Sequence, residues 1–254
     1  MKKRRTHPFT SIQAIIFDVD NTLYPQTPEL FVKSEAAFIK SIRDHFGERV
    51  AEMDDAYIMM MGWRSLREHG DASAIFSPMP DGDHCALYQR FHEYWPEDSI
   101  EPIANLDEQI QHLKEKGLAL YVYSDAHQDW INRALAHMNL DSYFPPERRL
   151  TRDQLPCFNI KSKTAAGFEK IKAHAELDPH QMIMVDDSPK NLTKAKAMGM
   201  VTAHITHGKA SETHSGDYDY AYPSVTDFIA DFQAKTASHP HAKPHASKPY
   251  NGRY

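Results

Sequence analysis

The sequence is short of several things, and each shortage narrows the reading. In 254 residues there are two cysteines, Cys85 and Cys157, in no metal-ligand spacing. That excludes a disulfide-scaffold or zinc-ribbon domain and fits free thiols in a reducing compartment. No apolar run approaches the roughly 20 residues that span a bilayer, so no membrane segment is expected. The opening MKKRR is followed by THPFTSIQ rather than an apolar segment, which argues against a signal peptide. Basic charge is not in excess: 29 Lys and Arg stand against 35 Asp and Glu, a net charge of −6. Neither a nucleic-acid polymer nor a membrane surface is an expected partner. A cytoplasmic protein is the expectation, and nothing in the sequence signals an oligomeric partner.

What is present is a globular composition, 41% apolar and 11% aromatic. Four short, continuous apolar runs read as buried parallel strands: AIIF (14–17), LALYVY (118–123), MIMV (182–185) and VTAHI (201–205). Helical patterns follow. After the second run, Trp130, Ala134, Leu135 and Met138 share one helical face. After the third, Ser188 and Pro189 open a helix that stops at Gly199. The fold class expected is α/β, a Rossmann-like doubly wound parallel sheet.

Residues 25–100 carry no strand pattern. Thr27-Pro28-Glu29 starts a helix with Leu30, Ala37, Phe38, Ile42 and Phe46 at helical spacing, and two more helical stretches follow. The expected domains are a catalytic core over 12–24 and 101–230 with an inserted α-helical cap over 25–100. Residues 1–11 and 234–254 read as disordered tails, the latter rich in Pro, Lys and His.

Ligands in doubly wound sheets bind beyond the carboxyl ends of the strands, and acids gather there. Asp18 and Asp20 follow the first run, and a period of two puts both on one side. They read as a structural turn, a metal site, or a nucleophile with its acid. Asp186 and Asp187 follow the third run. Alone they would suit a helix dipole. Together with the first pair they suggest a cation, and all-oxygen ligands favour Mg²⁺. Ser124, followed by Asp125, ends the second strand, where a hydroxyl and backbone N–H groups hold a phosphate or cap a helix. Lys161 and Lys163 precede the helix of Ala165, Phe168 and Ile171 and are the candidate cations on the substrate side.

FDVDNTLYP, YSDA, a lysine before a helix, and MVDDSPKN stand in the order of the four motifs of the haloacid dehalogenase-like hydrolase superfamily. Over residues 12–230 the chain resembles in particular its pyrimidine 5′-nucleotidase-like branch. The resemblance implies Mg²⁺-dependent phosphoryl transfer from a small-molecule phosphate ester. Asp18 would be the nucleophile, forming an aspartyl-phosphate. Asp20 would be the general acid and base. Mg²⁺ would be held by Asp18, the main-chain carbonyl of Asp20 and Asp187, with Asp186 contributing through a water. Ser124, Asp125 and Lys161 or Lys163 would bind the phosphoryl group, and Asn191 would support the last loop.

The chain departs from the family in one respect: no proline follows either lysine. Helical phase favours Lys161, with Ala165 and Phe168 at +4 and +7, but both lysines stand as candidates. A phosphomutase, a dehalogenase and a non-enzymatic binding protein are the competing readings. Asp20 and the second acidic pair weigh against the last two.

Overall fold

The structure is a computed structural model that describes residues 7–79, 83–156, 159–209 and 216–237 of the chain. Six parallel strands form one sheet: β1 (Ala14–Phe17), β2 (Ala119–Ser124), β3 (Arg149–Thr151), β4 (Met182–Asp186), β5 (Val201–Ile205) and β6 (Tyr220–Tyr222), in the order β3-β2-β1-β4-β5-β6. β1 lies at the centre, with Phe17 in register with Val122 on one side and Val185 on the other. β1, β2 and β4 are buried throughout, which is why their sequences are continuously apolar.

Helices cover both faces. The sheet side of Ile15, Phe17, Leu120 and Val122 packs against α4 (Leu106–Glu115), α5 (Gln128–His137) and α8 (Val225–Thr236). The side of Ile16, Tyr121, Tyr123 and Met184 packs against α6 (Ala166–Ala175) and α7 (Pro189–Ala197). The Rossmann-like α/β expectation is met. Two three-residue edge strands, β3 and β6, escape the sequence reading because neither contains a long apolar run.

Between β1 and β2 lie α1 (Pro28–Phe46), α2 (Asp55–His69) and α3 (His84–Glu93). Thr27 caps α1, its hydroxyl accepting from Leu30 N–H at 3.2 Å, with Pro28 at the first helical position. These helices enclose their own apolar cluster, including Phe38, Ile42, Ile58, Phe76 and Leu87. α2 ends at Gly70, whose φ of +76° suits glycine and where a Cβ would meet Ile160 at 2.3 Å. This close approach brings the following residue, Asp71, against the sheet's loops.

Three readings need correction. Residues 7–11 are not a tail: Pro8–Ser11 form a 3₁₀ turn and Phe9 is fully buried among Phe228, Phe232 and Tyr220. Residues 234–236 belong to α8, where Thr236 is buried. In both places one or two apolar side chains anchor a segment whose average composition is polar. Residues 1–6 and 238–254 lie outside the described residues. Cys85 is disulfide-bonded rather than a free thiol. Cys157, the other cysteine in the sequence, lies outside the described residues. The cytoplasmic expectation loses the support it drew from free thiols. Among the described residues no helix is long and apolar enough to cross a membrane.

Candidate active site

The carboxyl ends of β1, β2 and β4 deliver Asp18, Ser124 and Asp186 to one edge of the sheet. Asp18 is 5% exposed and Asp186 0%. Two buried carboxylates require a counter-charge, and Lys161 supplies one. Its Nζ lies 2.5 Å from Asp18 Oδ1 and 2.8 Å from Asp186 Oδ2, and donates to the Tyr123 carbonyl at 3.2 Å. Burial would lower the Lys161 pKa, but Asp18, Asp186 and Asp125 outweigh it and hold the ammonium well above its ordinary value. Lys163 points elsewhere: it is exposed, and its Nζ donates to the His69 carbonyl at the end of α2. Of the two candidate lysines, the structure brings Lys161 to the acids.

The remaining predicted residues surround this pair. Asp187 accepts from Asn21 Nδ2 at 2.6 Å, and its N–H donates to the Thr22 hydroxyl at 3.1 Å. Asn191 donates to both Asp186 oxygens at 3.1 Å, and the Ser188 N–H donates to Asp186 Oδ1 at 2.8 Å. Ser124 donates to Asp20 Oδ2 at 3.2 Å while accepting from Ala126 N–H at 3.0 Å, so its hydroxyl both caps the turn and faces the acid. The Asp125 carboxylate is turned away to the Lys161 N–H, at 3.0 and 3.3 Å, and supports the loop that carries the lysine.

Asp20 has two further donors that sequence reasoning missed. Trp130 Nε1 donates to Asp20 Oδ1 at 2.7 Å, and the Tyr24 hydroxyl donates to the same oxygen. Trp130 is legible in the sequence only as an apolar helical position. That its N–H needs a partner once buried is the signal that could have pointed to a nearby acceptor.

Asp18, Asp186 and Asp187 each offer an oxygen, and these oxygens lie within 4.8 Å of one another. Burial and the neighbouring Asp186 push the Asp187 carboxyl up to about 7. Burial, with Asp186 and Asp187 and against the opposing Lys161, raises Asp18 well above the carboxylate range. Negative charge here exceeds what one lysine balances. Hard oxygen donors short of positive charge fit Mg²⁺.

Above this edge a cavity of about 370 Å³ runs between the sheet and α1–α3, lined at one end by Asp18, Asp20, Ser124, Lys161 and Asp187. Arg152, in the turn after β3, also lines this cavity, and its backbone N–H donates to the Ala126 carbonyl at 3.3 Å. Arg152 Nη1 lies 2.5 Å from Asp71 Oδ2, which also lies 2.9 Å from His84 Nε2. Burial would raise the Asp71 pKa, but the His84 hydrogen bond and the Arg152 charge hold it well below its ordinary range.

The profile of the haloacid dehalogenase-like hydrolases matches residues 12–199. The chain belongs to this family. It is 21% identical over 222 residues to pyrophosphatase PpaX of Anoxybacillus flavithermus, covering 87% of this chain and 96% of the relative. Among solved structures, a 2-haloacid dehalogenase from Pseudomonas syringae superposes with a TM-score of 0.60 at 19% identity, over 89% of this chain and 99% of that one. A predicted phosphoglycolate phosphatase from Haemophilus somnus superposes with a TM-score of 0.62 at 17% identity, over 88% and 99%. At these identities the superpositions speak to fold alone. The family's phosphatase members support a hydrolase acting on small phosphate esters.

Proposed function

We propose that the protein is a Mg²⁺-dependent phosphomonoester hydrolase working through an aspartyl-phosphate, with α1–α3 as a cap over the site. One observation carries the reading: Asp18 and Asp20, Ser124, Lys161 and Asp187 meet at one end of a single cavity.

Asp18 attacks phosphorus, the P–O bond of the ester breaks, and Asp20 hands its proton to the leaving oxygen. Asp20 then takes a proton from water as that water attacks the acyl phosphate, and inorganic phosphate leaves with Asp18 restored. Tyr24, Trp130 and Ser124 fix the Asp20 carboxyl, so the oxygens that give and take the proton are held in a defined place. Lys161 and Ser124 bind the phosphoryl oxygens. Mg²⁺ held by Asp18, Asp187 and the Asp20 carbonyl, with Asp186 through a water, would neutralise developing phosphoryl charge.

A pyrimidine nucleoside 5′-monophosphate such as UMP or CMP is the substrate to which the motif resemblance points. The test is phosphate release with Mg²⁺ across nucleotides, sugar phosphates and cofactor phosphates, before and after chelation. Asp18→Asn abolishes metal-dependent release on this reading, and wild-type turnover by that variant overturns it.

A further inference from the structure

The cavity is larger than one phosphoryl group needs, and at about 370 Å³ it falls in the range of small-molecule sites, roughly 300–1,000 Å³. Its far end therefore has to be matched by the rest of the substrate. That end is aromatic. Phe31 of α1 stacks on Trp63 of α2 with ring centroids 5.5 Å apart and planes 23° apart. Trp63 Nε1 donates to Glu35 at 3.1 Å, which fixes the indole. Trp63 nonetheless keeps 43% of its surface exposed.

The charge of that end is equally informative. Among the described residues lining the cavity the only Lys and Arg are Lys161 and Arg152. Lys161 is engaged by Asp18 and Asp186 at the phosphoryl end. Arg152, 4% exposed, is closed off by Asp71 at 2.5 Å, with the Tyr88 ring 4.7 Å away. His92 is buried, which lowers its pKa to about 3 and leaves it neutral. Glu35 contributes negative charge, while the Asp71 charge is balanced by Arg152. A second phosphate or a carboxylate on the substrate would meet the Glu35 carboxylate and no available cation, an arrangement that selects by repulsion.

We infer that the leaving group is neutral and bears a flat apolar ring, seated against Trp63 and Phe31, and that esters carrying a second anion are excluded. The inference rests on the phosphatase reading above and adds what that reading leaves open.

The test compares benzyl phosphate with 2-phosphoglycolate, both esters of primary alcohols, for phosphate release by the full chain with Mg²⁺. In parallel, benzylphosphonate and phosphonoacetate, which are not hydrolysed, are titrated calorimetrically. The expected result is about tenfold or greater preference for the benzyl compounds in kcat/KM and in Kd. Trp63→Ala removes most of that preference through KM and Kd. Equal or better handling of the second anion, or a preference untouched by Trp63→Ala, overturns the inference. If phosphate is released but 2-phosphoglycolate is preferred, the phosphatase reading stands and the inference falls. If benzylphosphonate binds selectively and no ester is hydrolysed, the ring subsite stands and the phosphatase reading falls. Neither binding nor hydrolysis overturns both.

Discussion

The indole N–H of Trp130 reaches Asp20 across 2.7 Å, joining a helix on one face of the sheet to the acid at the end of β1. The helix is anchored by burial, so the bond holds a carboxyl oxygen in place without a mobile side chain. Trp130→Phe keeps a smaller aromatic ring in the core and removes the donor. A hydrogen bond to a charged group contributes about 1.5–3 kcal/mol. The expected outcome is a fall of roughly 10–100-fold in kcat with KM little changed, read from steady-state phosphate release.

Lys161 and Lys163 differ only by two positions in sequence, yet one is 1% exposed between two acids and the other is on the surface. Lys161→Met leaves Asp18 and Asp186 without their cation. Breaking a buried ion pair costs about 3–5 kcal/mol, so unfolding in urea without metal should show a loss of that order, with turnover abolished. Lys163→Met should stay within about 0.5 kcal/mol of wild type and retain activity. Equal effects of the two substitutions would contradict the assignment.

Much of this site is legible in the sequence because its chemistry needs acids at the ends of buried strands. AIIF and MIMV announce those strands, and Asp18, Asp20, Asp186 and Asp187 stand directly after them. The edge strands β3 and β6 are not legible, being three residues each and flanked by polar side chains. The buried Phe9 hides in a polar segment for the same reason. Asp71 reads as part of an Asp-, Pro- and Gly-rich loop, and only the fold reveals Arg152 and His84 as its partners. The choice between Lys161 and Lys163 likewise depends on which side of a turn faces the sheet, which a one-dimensional pattern without the usual proline does not specify.

The Asp71–Arg152–His84 cluster ties the loop after α2 to the loop after β3, and it makes stability depend on acid. The folded-state pKa of Asp71 is depressed, while its unfolded value is about 3.9. Its contribution is therefore complete above roughly pH 4 and is lost as pH falls further, through the depressed folded value. Thermal melts from pH 6 down to pH 3 should show a steep fall in Tm on the acid side. Asp71→Asn leaves Arg152 buried without its carboxylate, so its Tm should already be lower at pH 6 and the acid-side slope shallower. A parallel pH profile in wild type and variant would remove Asp71 as the source.

The account's central claim is that Asp18 itself takes the phosphoryl group. Acid quench of the enzyme during turnover of a good substrate, followed by peptide mass spectrometry, tests it most directly. The prediction is one phosphoryl adduct on the peptide containing Asp18, present only with substrate and Mg²⁺ and absent in Asp18→Asn. Steady phosphate release with no adduct on that peptide, together with wild-type turnover by Asp18→Asn, would contradict it.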